Sequence, residues 1–108
     1  MEEKLEAILL ELRRELEALY GDRLVQLILF GSQARGEARP GWDSDIDVLA
    51  VLKGPVNHGD EISRTGALVA DLSLRNDMVI SCIFMEEDRF LHRNGPLLRN
   101  IRREGGAV

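Results

Sequence analysis

A net charge of −5 over 108 residues argues against a surface built to grip nucleic acid, which draws its affinity from clustered Lys and Arg. At 44% hydrophobic but only 5% aromatic, the chain has material for one mainly aliphatic core, and its length favours a single domain over residues 1–108. The lone cysteine, Cys82, excludes an intrachain disulfide, and no apolar run nears the roughly 18–20 residues that cross a bilayer.

Residues 2–20 carry Leu5, Ile8, Leu9, Leu12, Leu16 and Leu19 at steps of three and four, which predicts an amphipathic helix. This acidic start is unlike a signal peptide, so a cytoplasmic protein with no membrane attachment is expected. Gly21 stands where a helix C-terminal cap belongs, and Leu10 and Tyr20 lie off the stripe. Leu24 to Phe30 is an apolar run broken only by Gln26, short enough for a buried strand. Gly31-Ser32 ends it. QARGEA then allows one or two helical turns, which Arg39-Pro40-Gly41 breaks.

Asp45 to Leu52 reads as the second strand. Alternation puts Asp45, Asp47, Leu49 and Val51 on one face and Ile46, Val48, Ala50 and Leu52 on the other. Both faces are apolar beyond Asp47, so the strand is expected to be central. Asn57 to Arg75 reads as a helix with Asn57 or Asp60 as its cap, Glu61 in its first turn, and an uneven stripe of Ile62, Leu68, Val69 and Leu72. Met78 to Met85 is a third strand. Glu86-Glu87-Asp88 opens a short helix, and Pro96 starts a last one, PLLRNIRRE, closed by Gly105-Gly106. The fold class is α/β: a small mixed β-sheet backed by helices.

Aspartates at i and i+2 of a strand project from one face, with Cα atoms about 6.5–7 Å apart. On a central strand two such carboxylates repel each other and lose hydration unless a cation lies between them. A divalent ion answers both costs. Two ions about 3.5–4 Å apart, bridged by carboxylates, serve in-line phosphoryl transfer. Gly31-Ser32, at the end of the preceding strand, offers the complementary half. Glycine lets backbone approach a ligand closely. The amides that follow can donate to a phosphate oxygen, with the Ser32 hydroxyl as a further donor. The two halves face each other if the strands are antiparallel neighbours. A bound cation also reconciles a mononucleotide with the acidic charge. A calcium loop of the EF-hand type is excluded. Asp43, Asp45 and Asp47 match its first ligands, but Val48 stands where its glycine belongs and Gly54 where its glutamate belongs.

Gly31-Ser32 and then Asp45-Ile46-Asp47-Val48-Leu49, after a hydrophobic strand and with ARGEARP between, closely resemble the minimal nucleotidyltransferases of the DNA polymerase β-like superfamily. The likeness covers nearly the whole chain, from the first helix to the third strand. It implies the nucleotidyltransferase fold, binding of ATP or another nucleoside triphosphate with two Mg²⁺ ions, and transfer of a nucleoside monophosphate to a hydroxyl with release of pyrophosphate. It also implies that Gly31 and Ser32 hold the β- and γ-phosphates, while Asp45 and Asp47 hold the metals. A helical HEPN-type partner protein, modified with AMP in a toxin–antitoxin pair, is the acceptor that the resemblance suggests.

Two departures bear on activity. The spacer from Gln33 to Ser44 is twelve residues, longer than is usual in the family, with the extra length around Pro40-Gly41-Trp42. The third carboxylate, common on the third strand, aligns with Ser81. Asp77, just before that strand, is the nearest substitute as a catalytic residue, whereas Asp71 is expected to face solvent. Two functions follow: a Mg²⁺-dependent nucleotidyltransferase, or a nucleotide-binding module that lacks turnover and acts by docking to its partner. Arg35 and Arg39 can contact phosphate or pair with Glu37 and Asp43. Trp42 can stack on a base or pack under the loop. His58 and His92 lack ligand spacing, and Arg99, Arg102 and Arg103 are expected to form a solvated face.

Overall fold

The computed structural model describes residues 3–35 and 45–108. The first helix, α1, runs Glu3–Tyr20 and buries Leu5, Ile8, Leu9, Leu12, Leu16 and Tyr20. The stripe closes on Tyr20 rather than Leu19, which is 41% exposed. Steps of four from Leu12 through Leu16 lead on to Tyr20, and Leu19 falls on the flank. Leu10 stays outside as expected. Gly21, with φ +56°, ends the helix and opens a single 3₁₀ turn, Gly21–Arg23.

Strand β1, Leu24–Phe30, and strand β2, Asp45–Leu52, coincide with their predicted bounds. Between them lies the short helix α2, Gly31–Arg35. Helix α3, His58–Asn76, is capped by Asn57, whose side-chain oxygen accepts from the Asp60 amide at 3.1 Å. Its buried face differs from the expected one. Glu61 and Thr65 point inward with Leu72, while Ile62 is 58% exposed. The stripe is uneven in sequence because a paired carboxylate occupies a position where an apolar residue would signal the core.

Strand β3 runs Val79–Glu86, one residue later than predicted at each end. Helix α4, Glu87–His92, and helix α5, Pro96–Glu104, follow, the latter with proline in its first turn. A two-residue strand β4, Gly106–Ala107, was not predicted, since two small residues carry no periodicity.

The sheet order is β3-β2-β1-β4. Strand β1 is antiparallel to β2 and to β4, and β2 is parallel to β3. The sheet is therefore mixed, with α3 as the crossover that a parallel pair needs. One face carries Leu27, Leu29, Ile46, Val48, Ala50, Leu52, Ile80 and Phe84, covered by α1 and by Leu72 of α3. The other carries Ile28, Leu49 and Val51, covered by Leu98 and Ile101 of α5. Burying each such leucine or isoleucine contributes about 1.5–3 kcal/mol. Both faces of β2 are dry from Val48 onward, as its apolar run predicts. Arg102 is exposed, as expected, and also donates to the carbonyls of Phe90 and Arg93 and to Asn94 Oδ1, joining α5 to α4.

Among the described residues, no helix is long and apolar enough to cross a membrane. Cys82 packs against the core, and burial pushes its thiol up to about 12.

Candidate nucleotide and metal site

Asp45 and Asp47 stand at the start of β2, on the face shared with Leu49 and Val51. The antiparallel register brings Phe30, the last residue of β1, beside Asp47. The chain then turns at Gly31, so the end of one strand and the start of the other meet, as the two halves of the predicted site require. Asp45 is exposed and Asp47 half-buried.

Gly31 meets two demands at once. Its φ of +76° lies in the left-handed region. A Cβ built there would overlap the Asp47 carboxylate oxygen Oδ2 and stand 3.3 Å from its Cγ. Backbone therefore lies directly over the carboxylate. Burial first, and then the charge of Asp45, raises the Asp47 carboxyl above its ordinary 3.8. Its anionic form is disfavoured until something positive arrives. Two carboxylates set side by side, one of them disfavoured as an anion, are the hard oxygen donors that a hard divalent cation such as Mg²⁺ takes. Among the described residues, no group of three His, Cys, Asp or Glu side chains forms a metal cage.

The parallel register sets Val79 beside Asp45 and Ser81 beside Asp47. Ser81 is exposed on β3 and occupies the strand position where a third carboxylate was sought. Asp77 lies ahead of the strand, exposed, in a left-handed conformation with φ 52° and ψ 44°. Its amide donates to the carbonyls of Leu74 and Ser73, and the Met78 amide donates to Ser73. That is the Schellman ending of α3, and aspartate tolerates the left-handed position better than most residues. The helix terminus thus accounts for an aspartate there by itself.

Ser32 belongs to α2 directly after Gly31. The expectations for Glu37, Arg39, Pro40-Gly41-Trp42 and Asp43 fall within residues 36–44, outside the described residues, as do the side chains of Ser32 and Arg35. His58 is exposed. His92 is exposed too, and its ring pairs with Asp88 at 3.1 Å. Phe30 and Val79 flank the carboxylates, and no spacing in the sequence singles them out. A hollow of about 240 Å³ lined by Ile83, Met85, Glu86 and Leu97 among others opens at the other end of β3, away from the carboxylates.

Three likenesses bear on this arrangement. An archaeal protein of Methanocaldococcus jannaschii, provisionally named a protein adenylyltransferase, is 35% identical over 94 residues, which is 86% of each chain. A solved toxin–antitoxin structure with AMP-PNP superposes with a TM-score of 0.63 at 18% identity, over 94% of this chain and 70% of that one. A nucleotidyltransferase structure from Sulfolobus solfataricus gives 0.59 at 22% identity, over 99% of this chain and 86% of the other. These two show a shared fold. Residues 9–103 match the model of the family described as a nucleotidyltransferase domain, a stretch that contains both halves of the site. With that match, and with a sheet that joins a glycine turn to an Asp-x-Asp strand, the chain belongs to the nucleotidyltransferase domain family.

Proposed function

We propose that this chain transfers a nucleoside monophosphate, AMP from ATP, to a hydroxyl on a helical HEPN-type partner protein, as the antitoxin of a toxin–antitoxin pair. The observation that carries the reading is the close approach of the Gly31 backbone to Asp47, with Asp45 two residues away on the same strand face. A cation site and a phosphate seat then adjoin. The relative named for protein adenylylation and the toxin–antitoxin neighbours support the choice of a protein acceptor.

In this reading Asp45 and Asp47 hold Mg²⁺, while Gly31 and Ser32 hold the β- and γ-phosphates. Bound Mg²⁺ would supply charge neutralisation on the polyphosphate. The chain's own work is positioning: the Gly31 turn fixes the triphosphate tail against the start of β2 and leaves the α-phosphorus facing solvent and acceptor. The acceptor oxygen forms its bond to the α-phosphorus. The bond to the bridging oxygen breaks, pyrophosphate leaves with that electron pair, and the hydroxyl proton passes to solvent.

The test is label transfer from ATP labelled at the α-phosphate to a copurified partner. Asp45→Ala and Asp47→Ala should each lower transfer by more than ~100-fold, since even second-shell changes cost 10–100-fold at metal sites. Undiminished transfer would end the proposal. Ser81 favours a second reading, a nucleotide-binding module that docks without turnover. Calorimetric binding of Mg-ATP that depends on both aspartates, with no label transferred, would select it.

A further inference from the structure

The basic residues of this acidic chain are unevenly placed. Residues 89–103 hold Arg89, Arg93, Arg99, Arg102 and Arg103 and no Asp or Glu, while the whole chain carries −5. All five arginines are exposed. They belong to one surface, because Arg102 donates to the Phe90 and Arg93 carbonyls and so ties α5 to α4. Those acceptors are neutral and leave its charge in place. Glu104 lies 3.7 Å from Arg103 and offsets one of the five. Residues 36–44 bring only Glu37 and Asp43 against Arg39, too little negative charge to neutralise the rest.

The same surface has an apolar seat. Arg89 and Leu97 both line the hollow of about 240 Å³, together with Ile83 and Met85. Leu97 is 47% exposed and Leu91 is 63% exposed. Arginines around an apolar anchor point, with no lysine in the stretch, are the make-up of a protein interface. A nucleic acid would use the charge but not the seat. Leu98 and Ile101 of α5 rest on Leu49 and Val51, which share their face of β2 with Asp45 and Asp47. The helix ends at Gly105, against Ile28 and Leu29 of β1, just ahead of Gly31. A protein seated on α4 and α5 therefore stands on the side of the sheet from which the carboxylates project. We infer that this face is the docking surface for the acceptor protein, which meets it with an acidic segment that sets an apolar side chain in the hollow. Only the identification of that partner as the acceptor rests on the proposed function.

A helical Glu-rich peptide with leucines along one side is the probe, followed by amide chemical shifts of the labelled chain at low salt. The shifts should centre on Leu91, Leu97 and Arg99. Replacing the peptide's leucines by serine should weaken binding by about tenfold or more, the worth of one buried leucine. Arg89→Glu combined with Arg99→Glu should weaken it by about 100-fold, because like charges then face each other. Mg-ATP binding in calorimetry should be unchanged in that variant, and its thermal melt verifies that it is folded. Shifts scattered over the whole chain, no peptide binding, or tighter binding of an RNA oligonucleotide of equal charge on the same face would overturn the inference. In label transfer to a copurified acceptor, the double exchange should cost about as much while Mg-ATP still binds. Undiminished transfer would overturn the docking surface and leave the proposed function standing. Peptide bound at α4 and α5, with no copurified protein taking label, would support the acidic docking surface and overturn its assignment to an acceptor.

Discussion

Glu61 and Asp47 are both drawn out of solvent, yet the chain treats their charges in opposite ways. Glu61 is 3% exposed. It accepts a hydrogen bond from the Tyr20 hydroxyl at 2.7 Å and pairs with Arg64 at 3.0 Å. The guanidinium groups of Arg23 and Arg64 lie 5.6 and 5.8 Å from the Tyr20 ring centre, and that ring packs on Phe84. Burial, then the bond to Glu61, pushes the Tyr20 phenol far above its ordinary range, so the proton stays on the tyrosine. Asp47 is also withdrawn, but the charge that acts on it is Asp45, of like sign. A carboxylate that pins helices brings its own donors. On the proposed reading, Asp47 keeps its charge uncompensated until a cation comes.

This contrast can be broken first at Glu61. Glu61→Ala leaves the buried Tyr20 hydroxyl without its acceptor, which costs about 1–3 kcal/mol, a fall in Tm of roughly 5–15 °C for a chain of this size. Nucleotide binding should not change. In a Tyr20→Phe background the same exchange should cost less, because no orphaned hydroxyl remains. Thermal melts of the four proteins in that cycle measure the difference. Equal losses in both backgrounds would mean that the Tyr20–Glu61 bond is not what pins α1 to α3.

The two positive-φ glycines among the described residues sharpen the contrast at the other carboxylate. Gly21 has open space where a Cβ would go, whereas Gly31 has Asp47 there. Alanine at either position meets the left-handed backbone penalty of about 1–2 kcal/mol. Only Gly31→Ala should also displace the Asp47 carboxylate and abolish Mg-nucleotide binding in calorimetry. If Gly21→Ala lost binding equally, the effect would belong to backbone strain rather than to the seat above Asp47.

Much of this arrangement was legible before any coordinates. The apolar run Leu24–Phe30 and the alternation in Asp45–Leu52 fixed both central strands to the residue, because a central strand's run ends where polar groups must begin. Asp45, Asp47 and Gly31 were named from chemistry alone, and the register brought them together. What stayed hidden was contact across long separations. Nothing local shows that Glu61 would turn inward, since its partner Tyr20 lies on another helix. Tyr20 itself read as off the stripe because a period of three and four accommodates either Leu19 or Tyr20 at the end. That Ser81 lies beside Asp47 in the parallel register is likewise a contact across a long separation. β4 became visible only through its pairing with Ile28 and Leu29.

The smallest expected effect lies in the Asp47 carboxyl itself, and its sign is opposite to that of the other exchanges. Its folded-state pKa is raised from 3.8 by burial and by Asp45. Well below 3.8 both folded and unfolded chains carry the proton, and the group contributes nothing. As pH rises, the unfolded chain releases its proton first, so stability falls through the interval up to the raised value and stays reduced above it. Asp47→Asn removes that loss. Without ligand at pH 7 the variant should be more stable than the wild type by about 0.5–2 kcal/mol, a common gain when a functional site is relieved of strain. The advantage should shrink toward pH 3–4, and Mg-ATP should reverse it by stabilising only the wild type. Urea titrations at the two pH values, with and without nucleotide, measure all three. A variant less stable than the wild type at neutral pH would show that the fold already accommodates the Asp47 anion, and the physical case for a cation at this carboxylate would fall with it.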